Sequence, residues 1–314
     1  MDGKYDTEFP NSYISEQLEQ ISRSIKLVNS LAFYDKFIFD LDSVITQDKL
    51  KGKKIQDIAT NTDSFNKSAS GTATIIGTSI DQKELILLTC AHIIDFPDTI
   101  YSFFTDRQGN KLDIIESISL KIRQTNYSDF PGGGQLETVL IDNDKDVALV
   151  SGKIRDINIF SYPVFKYPLG ESSELNWGNF VYTFGFPMHH KMISKALVSI
   201  PAQSGLNYFM IDAVVNRGFS GGLVLAIRDG APNFELVGMI SWVPAEKEYI
   251  LKPKPLVNEQ RYQVDAEYDG ENYVGVVEGI KYGVTKVLRI ETIKQTLKDQ
   301  RSKLKKYSLV KYLE

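Results

Sequence analysis

From Gly71 onward the chain is divided into short apolar runs with the period and length of strands. They include Thr72–Ile76, Glu84–Thr89, Ile100–Phe104, Lys111–Ile122, Thr138–Ile141 and Val147–Val150. A second series holds Phe180–Phe184, Met192–Ile200, Tyr208–Val215, Leu223–Ile227 and Glu235–Trp242. Turn signals separate them, among them Arg107-Gln108-Gly109-Asn110, Pro131-Gly132-Gly133-Gly134 and Arg228-Asp229-Gly230. Many short strands with such punctuation predict a mainly β fold, built as barrels or a sandwich.

The flanks read differently. Ile14, Leu18, Ile21, Ile25 and Val28 recur at helical spacing, so residues 12–31 are expected to form a helix capped by Asn11 or Ser12. Its apolar stripe must pack on the body of the protein or on a partner chain. Phe33, Tyr34, Phe37 and Phe39 extend that docking surface, and residues 49–70 read as a linker or surface loop. Pro244, Pro253, Pro255 and many charges mark residues 244–272 as a long excursion near the site. Tyr273–Val287 returns to strand character. Arg289–Tyr307 then reads as a closing helix with Ile290, Ile293, Leu297 and Leu304 inward and a solvated lysine-rich end through Lys311.

Composition narrows the classes. At 314 residues and 42% hydrophobic content the chain can bury one large core or two smaller ones. A net charge of −4 argues against nucleic acid or an anionic membrane as partner. The N-terminus Met1-Asp2-Gly3-Lys4 carries no apolar leader and no long apolar run follows, so a cytoplasmic protein is the expectation. Cys90 is the single cysteine, which leaves no intrachain disulfide and no zinc site. It reads as packing.

Three segments carry the chemistry. Asn216-Arg217-Gly218-Phe219-Ser220-Gly221-Gly222-Leu223 is a glycine-flanked serine between two strands. A nucleophile needs such a turn, because its oxygen must stand clear while N–H groups converge on a developing oxyanion. A glycine-rich hairpin with an incidental serine is the bland alternative. His92 stands directly after the strand Leu87–Thr89, where a rigidly held ring can face a cleft. Asp146 abuts the apolar run Val147–Val150, unlike Asp142 and Asp144, and can accept a histidine N–H from the edge of the core. His189 and His190 are adjacent and read as surface-loop residues.

Read together, these segments make the chain resemble a trypsin/chymotrypsin-fold serine peptidase, in particular the bacterial HtrA-type branch. The matching pieces are Ser70–Ile76, Thr89-Cys90-Ala91-His92, Asp146–Leu149, Gly185-Phe186-Pro187, Gly218–Gly222 and Gly279–Val284, in the order His, Asp, Ser. The resemblance implies two antiparallel six-stranded β-barrels with an N-terminal helical extension and a C-terminal helix. Its peptidase domain would cover residues 67–300, with barrel one at 67–165 and barrel two at 175–290. Residues 1–66 would be the extension and linker, and 301–314 a helix end and tail. No PDZ domain is expected to follow.

The resemblance implies Ser220 as nucleophile, His92 as general base and Asp146 as its orienter, with the N–H groups of Gly218 and Ser220 as oxyanion hole. No cofactor or metal is implied. The substrate would be a polypeptide, with Val214 as the floor and Ser241, Trp242 and Val243 as the wall of a pocket for small or medium aliphatic residues. Arg217 would either touch substrate or be solvated. Phe219 replaces the aspartate that zymogen-activated relatives carry, so pairing with a newly cut N-terminus is not the expected activation route. A regulated stress or defence protease, and assembly through helix 12–31 with itself or a partner, are further expectations. A silent or latent binding module on the same fold is the alternative.

Overall fold

A computed structural model describes residues 2–8, 10, 13–106, 110–129, 134–154, 162–213, 216–242, 245–253, 270–280 and 283–313. Strands dominate. In the N-terminal half they are β1 (Ile25–Ile38), β2 (Asn61–Thr78), β3 (Glu84–Thr89), β4 (Thr99–Thr105), β5 (Lys111–Ser128), β6 (Gly134–Asp142) and β7 (Val147–Lys153). They pair in the order β1-β2-β3-β7-β6-β5-β4, and an additional β1–β5 pairing closes six of them into a barrel. The C-terminal half contains β8 (Phe180–Gly185), β9 (Met192–Ile200), β10 (Tyr208–Ile211), β11 (Leu223–Ile227), β12 (Phe234–Trp242) and β15 (Thr285–Arg289). These close a second barrel in the order β10-β15-β12-β11-β8-β9. Both barrels are antiparallel, so the expected pair of six-stranded barrels is present.

The N-terminal expectation needs correction. Helix α1 spans only Ser15–Arg23, and the chain then enters β1. Ile25 and Val28 continue the helical spacing by coincidence. From Val28 the buried positions alternate (Val28, Ser30, Ala32, Tyr34), and β-branched and aromatic residues favour the pleated surface. β1 pairs with β2 from Ile25↔Thr74 to Ile38↔Asn61, and with β5 from Val28↔Ser128 to Ile38↔Ser117. The stretch 61–70, expected as linker, is therefore half of a barrel strand, and a boundary at 66 falls inside β2. Phe37 and Phe39 pack with Ile45, Ile115 and Ile118 in a small core beyond the barrel, flanked by the one-turn helices α2 (Gln47–Leu50) and α3 (Ile55–Ile58).

The ends of the chain are also structural. Tyr5 is buried, bridges to Arg228 and donates its hydroxyl to Glu235 at 2.7 Å. After the one-turn helix α4 (Ala91–Ile94), the next helices are α5 (Ile290–Asp299) and α6 (Val310–Leu313). Leu304, Tyr307, Leu309 and Tyr312 join the core of the molecule, so residues 301–314 are more than a tail. Lys311 is not solvated: its ammonium donates to the carbonyls of Phe165 and Tyr167, and burial depresses its pKa to about 8. The 244–272 excursion starts as one arm of a two-stranded hairpin, β13 (Ala245–Pro253) with β14 (Asn272–Ile280); residues 254–269 lie outside the described residues.

Candidate active site

The end of β3 and the start of β7 bring the first two groups together. Thr89↔Ala148 pairing sets α4 beside the turn before Val147, which places His92 against Asp146. His92 Nδ1 lies 3.0 Å from both carboxylate oxygens of Asp146, and the His92 backbone N–H donates to Oδ1 at 3.1 Å. Asp146 adopts a left-handed φ of 55°, a conformation that aspartate tolerates better than most side chains. Its carboxylate is tied from the other side by the Ser241 hydroxyl, which donates to Oδ2 at 2.5 Å. Burial pushes this carboxyl up, but the bonds from His92 and Ser241 and the charge of His92 outweigh it and hold it below the usual carboxylate range.

Cys90 is buried directly beneath. Its Sγ donates to the Ile240 carbonyl at 3.3 Å, and burial, followed by the charge of Asp146, pushes its thiol well up. Cys90, His92 and Asp146 offer three donor atoms within 4.8 Å of one another, the one such group among the described residues. A protonated thiol is a poor metal ligand, and the other two donors serve each other.

The serine turn is clamped between the barrels. Thr72 of β2 donates its N–H to the Ser220 carbonyl and its hydroxyl to the Gly218 carbonyl, both at 2.7 Å. The same hydroxyl accepts the Phe186 N–H at 3.0 Å. From barrel two, Gly221 N–H donates to Ile240 at 2.7 Å and Ile240 N–H returns to Gly222 at 2.8 Å. The close approach requires glycine. Gly218 has φ +106°, and a Cβ there would stand 2.2 Å from the Phe186 carbonyl; at Gly221, φ +83°, it would stand 1.9 Å from the Thr72 carbonyl. Phe219 points into the core of barrel two and packs on Gly185. It anchors the turn by burial where an aspartate would need a charged partner.

Within this clamp the N–H groups of Gly218 and Ser220 donate to nothing among the described residues, and Arg217 hands its carbonyl to the Met188 N–H at 3.4 Å. Ser220 is half-buried, and no hydrogen bond joins its Oγ to His92 or to any other described residue. Ser220 and His92 nevertheless line one cleft of 460 Å³, together with Arg217, Phe186 and His189. A second cleft of 540 Å³ opens behind His92 and Asp146, between the barrels.

Of the residues expected to touch substrate, Val214 and Val243 lie outside the described residues, as does the side chain of Trp242. Ser241, expected as pocket wall, spends its hydroxyl on Asp146 instead. Arg217 is exposed at the cleft. His189 does lie in an exposed turn, as read, but its Nε2 sits 3.1 Å from Ser70 Oγ on the rim of the same cleft. The clamp made by Thr72 carries no motif signal, since its partners are backbone atoms of a distant segment.

Residues 71–239 match the family described as trypsin-like peptidase domain. No curated protein matches the chain at a significant level. Among solved structures it is similar to a variant of the HtrA-type protease AlgW with a decapeptide, at 14% identity and a TM-score of 0.47 over 92% of this chain and 68% of that one. It is likewise similar to the HtrA-type protease AlgW with a tripeptide, at 15% identity and a TM-score of 0.44, over 92% of this chain and 65% of that one.

Proposed function

Because this chain belongs to the trypsin-like peptidase family, we propose that it is a serine endopeptidase that cuts polypeptides through Ser220, His92 and Asp146. The observation that carries this reading is one cleft lined by an Asp146-bound imidazole and a glycine-clamped serine, in a turn whose Gly218 and Ser220 N–H groups have no partner among the described residues.

With Nδ1 held by Asp146, Nε2 is the nitrogen left to act as base. A rotation of the Ser220 side chain brings Oγ toward it, a tightening that substrate commonly induces. Oγ then bonds the scissile carbonyl carbon as its proton passes to Nε2, and the carbonyl electrons move onto oxygen between the Gly218 and Ser220 N–H groups. Collapse of the adduct breaks the C–N bond, and the imidazolium returns the proton to the leaving amine. Water repeats the sequence to release the acid. Asp146 stays ionised throughout, which agrees with its lowered pKa.

A small or medium aliphatic residue before the cut is proposed from the sequence alone, since Val214 and Val243 lie outside the described residues. The test is a cleavage profile on an unbiased peptide library with wild type and Ser220→Ala. Wild type should cut and the variant should not. Equal cutting by both would overturn the reading. Folded wild type that binds peptides without cutting them would favour a binding module.

A further inference from the structure

The cleft beside Ser220 has a charge that catalysis does not use. Arg217 reaches it from the serine turn, and its guanidinium has no hydrogen-bond or ion-pair partner among the described residues. His189 lines it as well, held on Ser70 Oγ, which in turn donates to Asn29 Oδ1 at 2.5 Å. No carboxylate is among the described residues that line the cleft. Behind Phe186, which forms part of its wall, the ammonium of Lys191 lies 5.6 Å from the ring centroid and donates to the Ser22 carbonyl. Burial and the neighbouring Lys26 push the Lys191 ammonium down, with Asp129 the countercharge opposing that shift. Arg217 is the one permanently charged side chain among the described lining residues, on a molecule whose net charge is −4.

The position fixes which part of a substrate meets this charge. If the acyl side of the scissile bond runs along Ser241, which lines the other cleft, the cleft bounded by β2 and residues 186–189 receives the leaving-group side.

Resting on the peptidase reading, we infer that this cleft is a carboxylate subsite: Arg217 and His189 select substrates with a carboxylate within two residues after the cut. That carboxylate has two sources, an acidic side chain or the C-terminus of the substrate chain. An exposed guanidinium with no partner among the described residues discriminates by attraction to one charge and repulsion of the other.

The experiment reads selection with and without turnover. Peptides carrying a mixture of Ala, Val and Leu before Glu, Gln or Lys at the next two positions are prepared in two series. One is capped as C-terminal amides, and the other ends in a free carboxylate two residues after the mixture. Cleavage by wild type and affinity selection on immobilised Ser220→Ala are both read by mass spectrometry. The capped Glu series should be preferred over Lys by about tenfold in both readings. A preference appearing only in the uncapped series assigns the subsite to chain ends instead. Arg217→Gln and His189→Gln should shrink the Glu-to-Lys ratio toward one, and Arg217→Glu should turn it in favour of Lys. Equal use of Glu and Lys by wild type with neither series favoured, or a ratio unmoved by Arg217→Gln, overturns the inference. Absence of cleavage by wild type, with selection intact on Ser220→Ala, would overturn the peptidase reading and leave the subsite standing.

Discussion

Asp146 is held by three donors, the His92 ring, the His92 N–H and the Ser241 hydroxyl, and each has a separable consequence. Asp146→Asn keeps the shape but reverses the tautomer that His92 Nδ1 prefers. The expected loss in kcat/KM is about 10⁴-fold at neutral pH, measured on an activated ester. Ser241→Ala removes one bond to a charged acceptor, and about a tenfold loss is expected from a contribution of about 1.5 kcal/mol. Because the folded carboxyl titrates below its ordinary range, its stabilising effect is complete above an unfolded value of about 4. It fades as pH falls through the lowered native value. The stability gap between wild type and Asp146→Asn should therefore narrow as pH falls below ~4 in urea titrations. A gap that widens below that pH contradicts the assignment. The pairing of His92 with Asp146 was legible in the sequence because both flank apolar strand runs that fix them rigidly. Ser241 and Thr72 were not legible in these roles, because each acts on a segment far away along the chain, and local pattern holds no trace of that contact.

At the scale of elements, the serine turn is a clamp made of backbone, and its glycines are where it fails first. Gly218→Ala would force a Cβ to 2.2 Å from the Phe186 carbonyl at φ +106°. The turn must move, so reactivity of Ser220 toward acylating probes should vanish while the barrels still fold, at a strain cost of about 1–3 kcal/mol. Circular dichroism melts alongside probe labelling separate the two effects. Phe219→Ala should instead act on stability, by about 3–5 kcal/mol, because the ring is buried in barrel two. β1 is the element that pattern misled. Its first apolar residues continue the spacing of α1, and only its pairing with β2 and β5 reveals which period wins. Short barrel strands such as β3, β7, β8 and β11 were readable, since each is apolar and bounded by turn residues, whereas β5 runs six residues beyond the expected Ile122.

Across the whole molecule, the two barrels and both chain ends form one interlocked body. β1 closes barrel one, Tyr5 docks on barrel two, and Leu309 and Tyr312 enter the common core. A chain trimmed to residues 67–300 would lose β1 and the first part of β2, leaving β5 and β2 with unpaired edges. Such a fragment should aggregate or unfold without cooperativity in a thermal melt, whereas the full chain should melt cooperatively. A soluble, cooperative fragment would show that residues 1–66 are dispensable for the fold. The same architecture explains why the proposed catalytic groups lie between barrels. His92 and Asp146 come from one barrel and Ser220 from the other, and Thr72 and Ser241 tie the two together across the cleft.

The most direct test is intact-mass measurement after treatment with a fluorophosphonate, followed by peptide mapping. A single adduct on Ser220, abolished by Ser220→Ala and strongly slowed by His92→Ala, is the expected result. A folded wild-type chain that takes up no probe, or takes it up equally well without His92, would contradict the claim that these groups act as one nucleophilic unit.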